Sequence, residues 1–273
     1  MRSRTPVGVV LGSILPVALL APDAGAGLLS SEPFDYTRGE SLHGKAGGSG
    51  WSIPWSSASA NQSIFGPGLT HPQASSSGNA VSMGAAAALR YFGSDINPGT
   101  TGFWASFLVN RLSSGSGGAI QFVGPTGSET TLGVAISFGA ANSPVLLAET
   151  TLGNIGAFSA SPAAVSVGNT ALVVVRVVPL GTTYRADLYI NPTAQDLSVK
   201  ASLTLANTTA LRGVALTGVA SGQTVFDEVR VGDTLADVTN IPSPGATGAT
   251  GVLLAFAAAS ARRRSSRCTS EGC

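Results

Sequence analysis

Apolar residues recur at alternate positions in run after run of this chain, and no long stretch carries them at helical spacing. The strongest case is residues 172–190, LVVVRVVPLGTTYRADLYI, two β-rich runs split by a Pro/Gly turn, which reads as a hairpin. Side chains alternate along a strand, so Val173, Val175 and Val177 share one face, as do Tyr184, Ala186, Leu188 and Ile190. Each arm therefore offers one apolar face to a core. Joining the arms through Pro179 to Thr182 sets Val177 opposite Tyr184 but also Arg176 opposite Arg185, and like charges directly opposed are unfavourable. A slip of two residues, with a longer loop, keeps the faces and pairs Arg176 with Asp187. The faces follow from the pattern, and the register stays open between these two.

The same punctuation extends over most of the chain. Residues 44–55 (GKAGGSGWSIPW), Pro67-Gly68, His71-Pro72 and residues 75–78 are too rich in glycine, proline and serine for regular elements. Ala85 to Gly93 is expected to be a strand despite its alanines, because context overrides propensity. Strands follow at Phe103–Leu112, Ala119–Val123, Leu132–Phe138, Val145–Glu149, Val165–Val167, Val199–Leu205, Val214–Leu216 and Val225–Val231, with turns between. Leu132, Val134, Ile136 and Phe138 alternate with Gly133, Ala135 and Ser137, the cleanest one-sided pattern. Ten or more short strands predict an all-β fold, an antiparallel β-sandwich or jelly roll formed by residues 27–240 as a single domain.

Charge and cysteine content narrow the class. Between Gly27 and Asn240 there are nine basic and twelve acidic residues, a net charge of −3 with no basic stripe, so a nucleic-acid partner is not expected. The only cysteines, Cys268 and Cys273, lie past the last apolar run, so no disulfide is available to the body.

The two ends differ from this body. Residues 1–26 have Arg2 and Arg4, an apolar stretch from Val7 to Leu20 and a small-x-small site at Ala24-Gly25-Ala26, which predicts a secretory signal helix cut after Ala26. Residues 241–273 start with Pro242-Ser243-Pro244, continue through an uncharged stretch, Ala246 to Ala261, and reach Arg262, Arg263 and Arg264. As a helix that stretch rises about 24 Å, short of the roughly 30 Å hydrocarbon core, and spans it with flanking residues snorkelling. The arginines would face the cytoplasm and the body the outside.

This tail resembles the PEP-CTERM sorting signal, in which a Pro-x-Pro motif, an apolar transmembrane helix and an arginine cluster close the chain; Ser243 stands where that family has Glu. The resemblance implies processing by an exosortase-type enzyme and a protein that is secreted or at the cell surface, transiently anchored by the C-terminal helix. The body resembles the concanavalin A-like and laminin-G-like sandwiches, on Phe34-Asp35-Tyr36, Gly48-x-Gly50-Trp51, Trp104-x-Ser106-Phe107 and Phe226 to Gly232. That likeness implies that the Phe34 strand pairs with the Phe226 strand, and that extracellular polysaccharide is a natural partner.

Candidate chemistry is sparse. Glycan hydrolases of such folds need two carboxylates facing one cleft about 5–9 Å apart. Asp227 and Glu228 are adjacent, so as strand residues they face opposite sides, and Glu228 shares a face with Arg230 in the manner of a structural ion pair. His43 and His71, the only imidazoles, stand near no Gly-x-Ser-x-Gly elbow. No catalytic residue and no cofactor is therefore expected. Calcium is the exception that the laminin-G resemblance implies, with Asp95-x-Asn97 and Asp233-x-x-x-Asp237 as candidate ligands; the same residue types also cap turns. Trp51 and Trp55, four apart and so on one side of an extended segment, are candidates to stack on a sugar or to plug the sandwich end. The reading is a non-catalytic surface or matrix protein that binds carbohydrate, against a hydrolase or lyase of the same fold or an inert structural protein.

Overall fold

A computed structural model describes residues 27–242 apart from 58, 60, 98–101, 125–130, 137–143, 152–153, 162–163, 207–209 and 220–221. Its strands are β1 (Leu28–Glu32), β2 (Ser56–Ser57), β3 (Gln62–Phe65), β4 (Ala80–Met83), β5 (Ala87–Ile96), β6 (Phe103–Arg111), β7 (Gly118–Val123) and β8 (Thr131–Ile136). They continue as β9 (Val145–Thr151), β10 (Asn154–Ala160), β11 (Ala171–Pro179), β12 (Thr183–Ile190), β13 (Ala201–Ala206), β14 (Leu211–Gly218) and β15 (Thr224–Gly232), followed by one helical turn, α1 (Leu235–Val238). Every pairing between these strands is antiparallel. One sheet runs β13-β12-β11-β6-β15-β4-β3 with β1 also on β15, and the other β10-β9-β8-β7-β14-β5-β2, an all-β sandwich as the periodicity predicts.

The core lies between the sheets. Val173, Val175 and Val177 of β11 and Tyr184, Ala186, Leu188 and Ile190 of β12 all enter it, on the predicted faces. The hairpin takes the slipped register, with Arg176 opposite Asp187 and Val177 opposite Ala186. Its loop is shorter than expected, not longer: Pro179 still pairs with Tyr184, and the Leu180 N–H donates to the Thr183 carbonyl at 2.8 Å, so the chain turns on Gly181 and Thr182. Phe103 meets Phe122 edge-on at 5.4 Å across the sandwich. Burying one such side chain is worth about 1.5–3 kcal/mol.

Hairpin strands with a single buried face are not what forms. Leu172 and Val174 of β11 and Tyr189 of β12 point the other way and are also buried, in a cluster with Leu69 and Ala74 of a strap of residues 66–79, Leu235 of α1 and Ile241 beyond it. β8 is likewise buried on both sides, Leu132 and Val134 on one and Ala135, packed with Ala119, on the other. Strands β1, β3, β4 and β10 form where the pattern predicts none. Val165–Val167 forms only a bridge from Val167 to Arg111, and Val199 lies outside β13 and exposed.

β15 is the organising strand. One edge takes β6; the other takes β4 along Thr224–Phe226 and β1 along Val229–Gly232. The terminal strands therefore adjoin as the resemblance implies, although Phe34 falls just beyond β1, buried, with φ 50°. No helix among the described residues is long and apolar enough to cross a membrane. The expected leader with Ala24 and Ala26, and Ser243, Pro244, the apolar stretch, Arg262, Arg263 and Arg264, lie outside the described residues; Pro242 is exposed at their edge.

Candidate functional site

Two neighbouring features meet where β1 and β5 face each other. The first is a buried charged cluster. Alternation along β5 turns Ala88, Arg90 and Phe92 inward, and β1 delivers Glu32 to meet Arg90 in an ion pair whose side chains are 3% and 0% exposed. The same Glu32 Oε2 accepts from Trp55 Nε1 at 2.8 Å and from the Tyr36 hydroxyl at 3.0 Å, while Oε1 accepts the Phe34 N–H at 2.9 Å. Arg90 Nε donates to the Ile53 carbonyl at 2.9 Å, and the guanidinium lies over the rings of Trp51 and Trp55, 5.0 and 5.9 Å from their centroids. Burial pushes the Glu32 carboxyl up, against the Trp55 hydrogen bond and the Arg90 charge. Burial and the Glu32 charge push Tyr36 up to about 12.

The tryptophans do fall on one side, with ring centroids 6.3 Å apart. Their faces are already occupied. Trp55 is 1% exposed and stacks on Phe34; Trp51, half-buried, stacks on Phe92 at 5.3 Å and donates Nε1–H to the Ser31 carbonyl. This is the arrangement of a plug, held by cation–π contacts as well as by burial.

The second feature is an open groove of about 400 Å³ beside that plug. Its shape comes from an irregularity in β5. Leu211 pairs with Ile96 and Gly213 with Tyr91, so the four residues Phe92 to Asp95 stand against Arg212 alone. The surplus turns Gly93, Ser94 and Asp95 out to solvent, where with Asn97 they form one wall. Leu29, Ser30, Gly50 and Asp233 form the other. Gly50 is required there: at φ +77° a Cβ would sit 1.9 Å from the Leu29 carbonyl oxygen, so only glycine lets the loop lie against β1.

Three of the four proposed calcium ligands, Asp95, Asn97 and Asp233, thus reach the same groove. Asp237 does not. Its carboxylate accepts from the Thr234 N–H at 2.8 Å in a capping box that starts α1. Asp233 is engaged with Gly27, whose N–H it accepts at 3.3 Å. Among the described residues no three His, Cys, Asp or Glu side chains group closely enough to hold a metal ion. Calcium takes six to eight oxygens, of which the Asp95, Asn97 and Asp233 side chains supply only part.

The other singled-out groups are dispersed. Asp227 and Glu228 do not face opposite sides of β15, because a bulge intervenes: Asp227 pairs with Leu108, Arg230 with Ser106, and Glu228 has φ 51°. Both carboxylates turn under the strap, Asp227 Oδ2 accepting the Leu69 N–H at 2.8 Å and Glu228 Oε1 the Ser77 N–H at 2.7 Å. The strap passes so close that a Cβ on Gly68 would lie 2.8 Å from Asp227 Oδ2. Arg230 pairs with Glu228 at 2.9 Å, the structural partnership anticipated. Burial pushes Asp227 up to about 8. The imidazoles serve loops: His43 Nδ1 accepts the Ser57 N–H at 3.1 Å, and His71 Nδ1 the Gln73 N–H at 3.2 Å, with burial lowering the His71 pKa.

Sequence reasoning missed Glu32, Arg90 and Ser94. The available signal was a single arginine at an inward position of an otherwise apolar alternation, Ala88-x-Arg90-x-Phe92, which demands a buried carboxylate partner.

The class that these elements define is an antiparallel β-sandwich, and solved sandwiches of known kinds resemble it. An endo-1,3-beta-glucanase from Streptomyces sioyaensis matches with a TM-score of 0.47 at 11% identity, covering 78% of this chain and 98% of that one. A legume lectin-like domain from Entamoeba histolytica gives 0.39 at 9%, covering 63% and 88%. The carbohydrate recognition domain of Emp46p in its potassium-bound form gives 0.41 at 8%, covering 64% and 89%. Likenesses of this degree attach no ligand, metal or reaction to the chain. No protein-family model and no curated protein sequence matches it.

Proposed function

We propose that this is an exported, non-catalytic β-sandwich of the cell surface or extracellular matrix that binds saccharide in the groove between β1 and β5. The observation that carries the reading is the lining of that groove. Ser94, Asp95, Asn97 and Asp233 supply hydroxyl, carboxylate and amide groups on two walls, beside the apolar surface of Leu29 and Phe92. Sugars are held by this combination of hydrogen-bonding groups and apolar surface. Export rests on the two ends: residues 1–26 as a leader cut after Ala26, and residues 241–273 as a tail whose Pro242-Ser243-Pro244, apolar stretch and Arg262 to Arg264 address an exosortase-type enzyme.

A glycan array probed with the purified protein, with and without calcium, tests the binding. Asp95→Ala, which removes an exposed carboxylate from the wall, is expected to weaken retention at least about tenfold, the loss of one charge-assisted hydrogen bond. Absence of any retained glycan, or equal retention by the variant, would refute the reading.

A further inference from the structure

Gly27, just before β1, is held by one side chain just after β15. Gly27 donates its N–H to Asp233 Oδ2 at 3.3 Å, and its carbonyl accepts the Asp233 N–H at 3.2 Å, closing a ring just before Leu28 pairs with Gly232. No lysine or arginine lines the groove on which Asp233 stands. Asp233 is exposed, so its carboxylate keeps both a water-facing side and a side turned to Gly27.

We infer that Asp233 is the receiving site for the amino group freed at Gly27 when the leader is removed, so that the cut converts an amide hydrogen bond into an ion pair clasping β1 to β15. This rests on the proposed cut after Ala26. Water adds across the Ala26–Gly27 peptide bond, Ala26 leaves as a carboxylate, and the Gly27 nitrogen takes up a proton as an ammonium. The nitrogen needs no relocation, because it already lies within hydrogen-bond reach of Oδ2. An amide nitrogen offers Asp233 one proton and no charge; the ammonium offers three and a full positive charge. The mature protein would also carry at the groove mouth a cation that the precursor lacks.

Composition makes the test tractable. The chain has only two lysines, Lys45 and Lys200, so the protein as exported carries three amino groups. N-terminal sequencing of that protein, followed by reductive ¹³C-methylation and an NMR pH titration, reads each amine separately. The expected result is a chain starting at Gly27 whose α-amine titrates about half a unit above the value in Asp233→Asn, the size expected of an exposed pair, with the difference shrinking in high salt. The two lysine signals should be unmoved by the variant. A different first residue would overturn the proposed cut and this inference with it. A Gly27 start with an α-amine indifferent to Asp233→Asn would overturn the ion pair alone.

Discussion

Glu32 and Asp227 are both carboxylates with 0% exposure in the same sheet, yet they are stabilised in opposite ways. Glu32 has a cation: Arg90 is paired with it, and Trp55, Tyr36 and the Phe34 N–H add hydrogen bonds. Asp227 has only backbone, the N–H groups of Leu69 and Glu228, both at 2.8 Å. The contrast separates two uses of a buried acid. At Glu32 a cation faces the carboxylate and ties three segments into the plug; at Asp227 no cation does, burial favours the protonated carboxyl, and its oxygens hold a polar strap over the outer face of the sheet.

Breaking the paired site should cost most. Glu32→Ala strands the Arg90 guanidinium in the interior, and an uncompensated buried charge costs about 3–5 kcal/mol, readable as a fall in the denaturant midpoint. Arg90→Met should do nearly the same from the other partner, with Trp55 fluorescence following the unfolding. The unpaired site has a smaller, pH-dependent signature. Asp227 titrates near 8 in the fold against 3.8 when free, so its contribution is complete below about pH 4 and is lost as pH rises through about 8. Stability of the wild-type protein should therefore decline across that window more steeply than that of Asp227→Asn. Glu32, which burial shifts in the same direction, adds to the slope left in the variant, and His71, which burial shifts down, opposes it. The smallest effect is expected at the pair between these extremes: Arg230→Ala leaves Glu228 its Ser77 N–H and should cost about 1 kcal/mol by the same unfolding measurement.

The contrast also marks what the amino-acid pattern conveys. Alternation placed the core faces of β11 and β12, because a two-residue period has one structural meaning, and the glycines and the run Leu89 to Phe92 around its alanines gave β5 its strand character. It could not show that Leu172, Val174 and Tyr189 are covered as well, since the cover is a strap of glycine, serine and proline with no period of its own. Nor could it place Asp227 and Glu228 on one side, because a bulge is invisible to counting by twos. The groove was half legible. Asp95, Asn97 and Asp233 stand out as oxygen-bearing residues in loops, but their meeting depends on the surplus residues of β5, and Arg90 reads as an ordinary charge until its depth is known.

The position of β15 has a consequence for how the molecule comes into being. The strands on either edge of it, β1, β4 and β6, are synthesised long before the segment that joins them, and contacts between the chain's beginning and its end close only when residue 232 has been made. Topologies wired through such distant partners fold slowly. The sheet wired through β15 cannot close in a nascent chain before residue 232 is made, which suits the export proposed above for this chain.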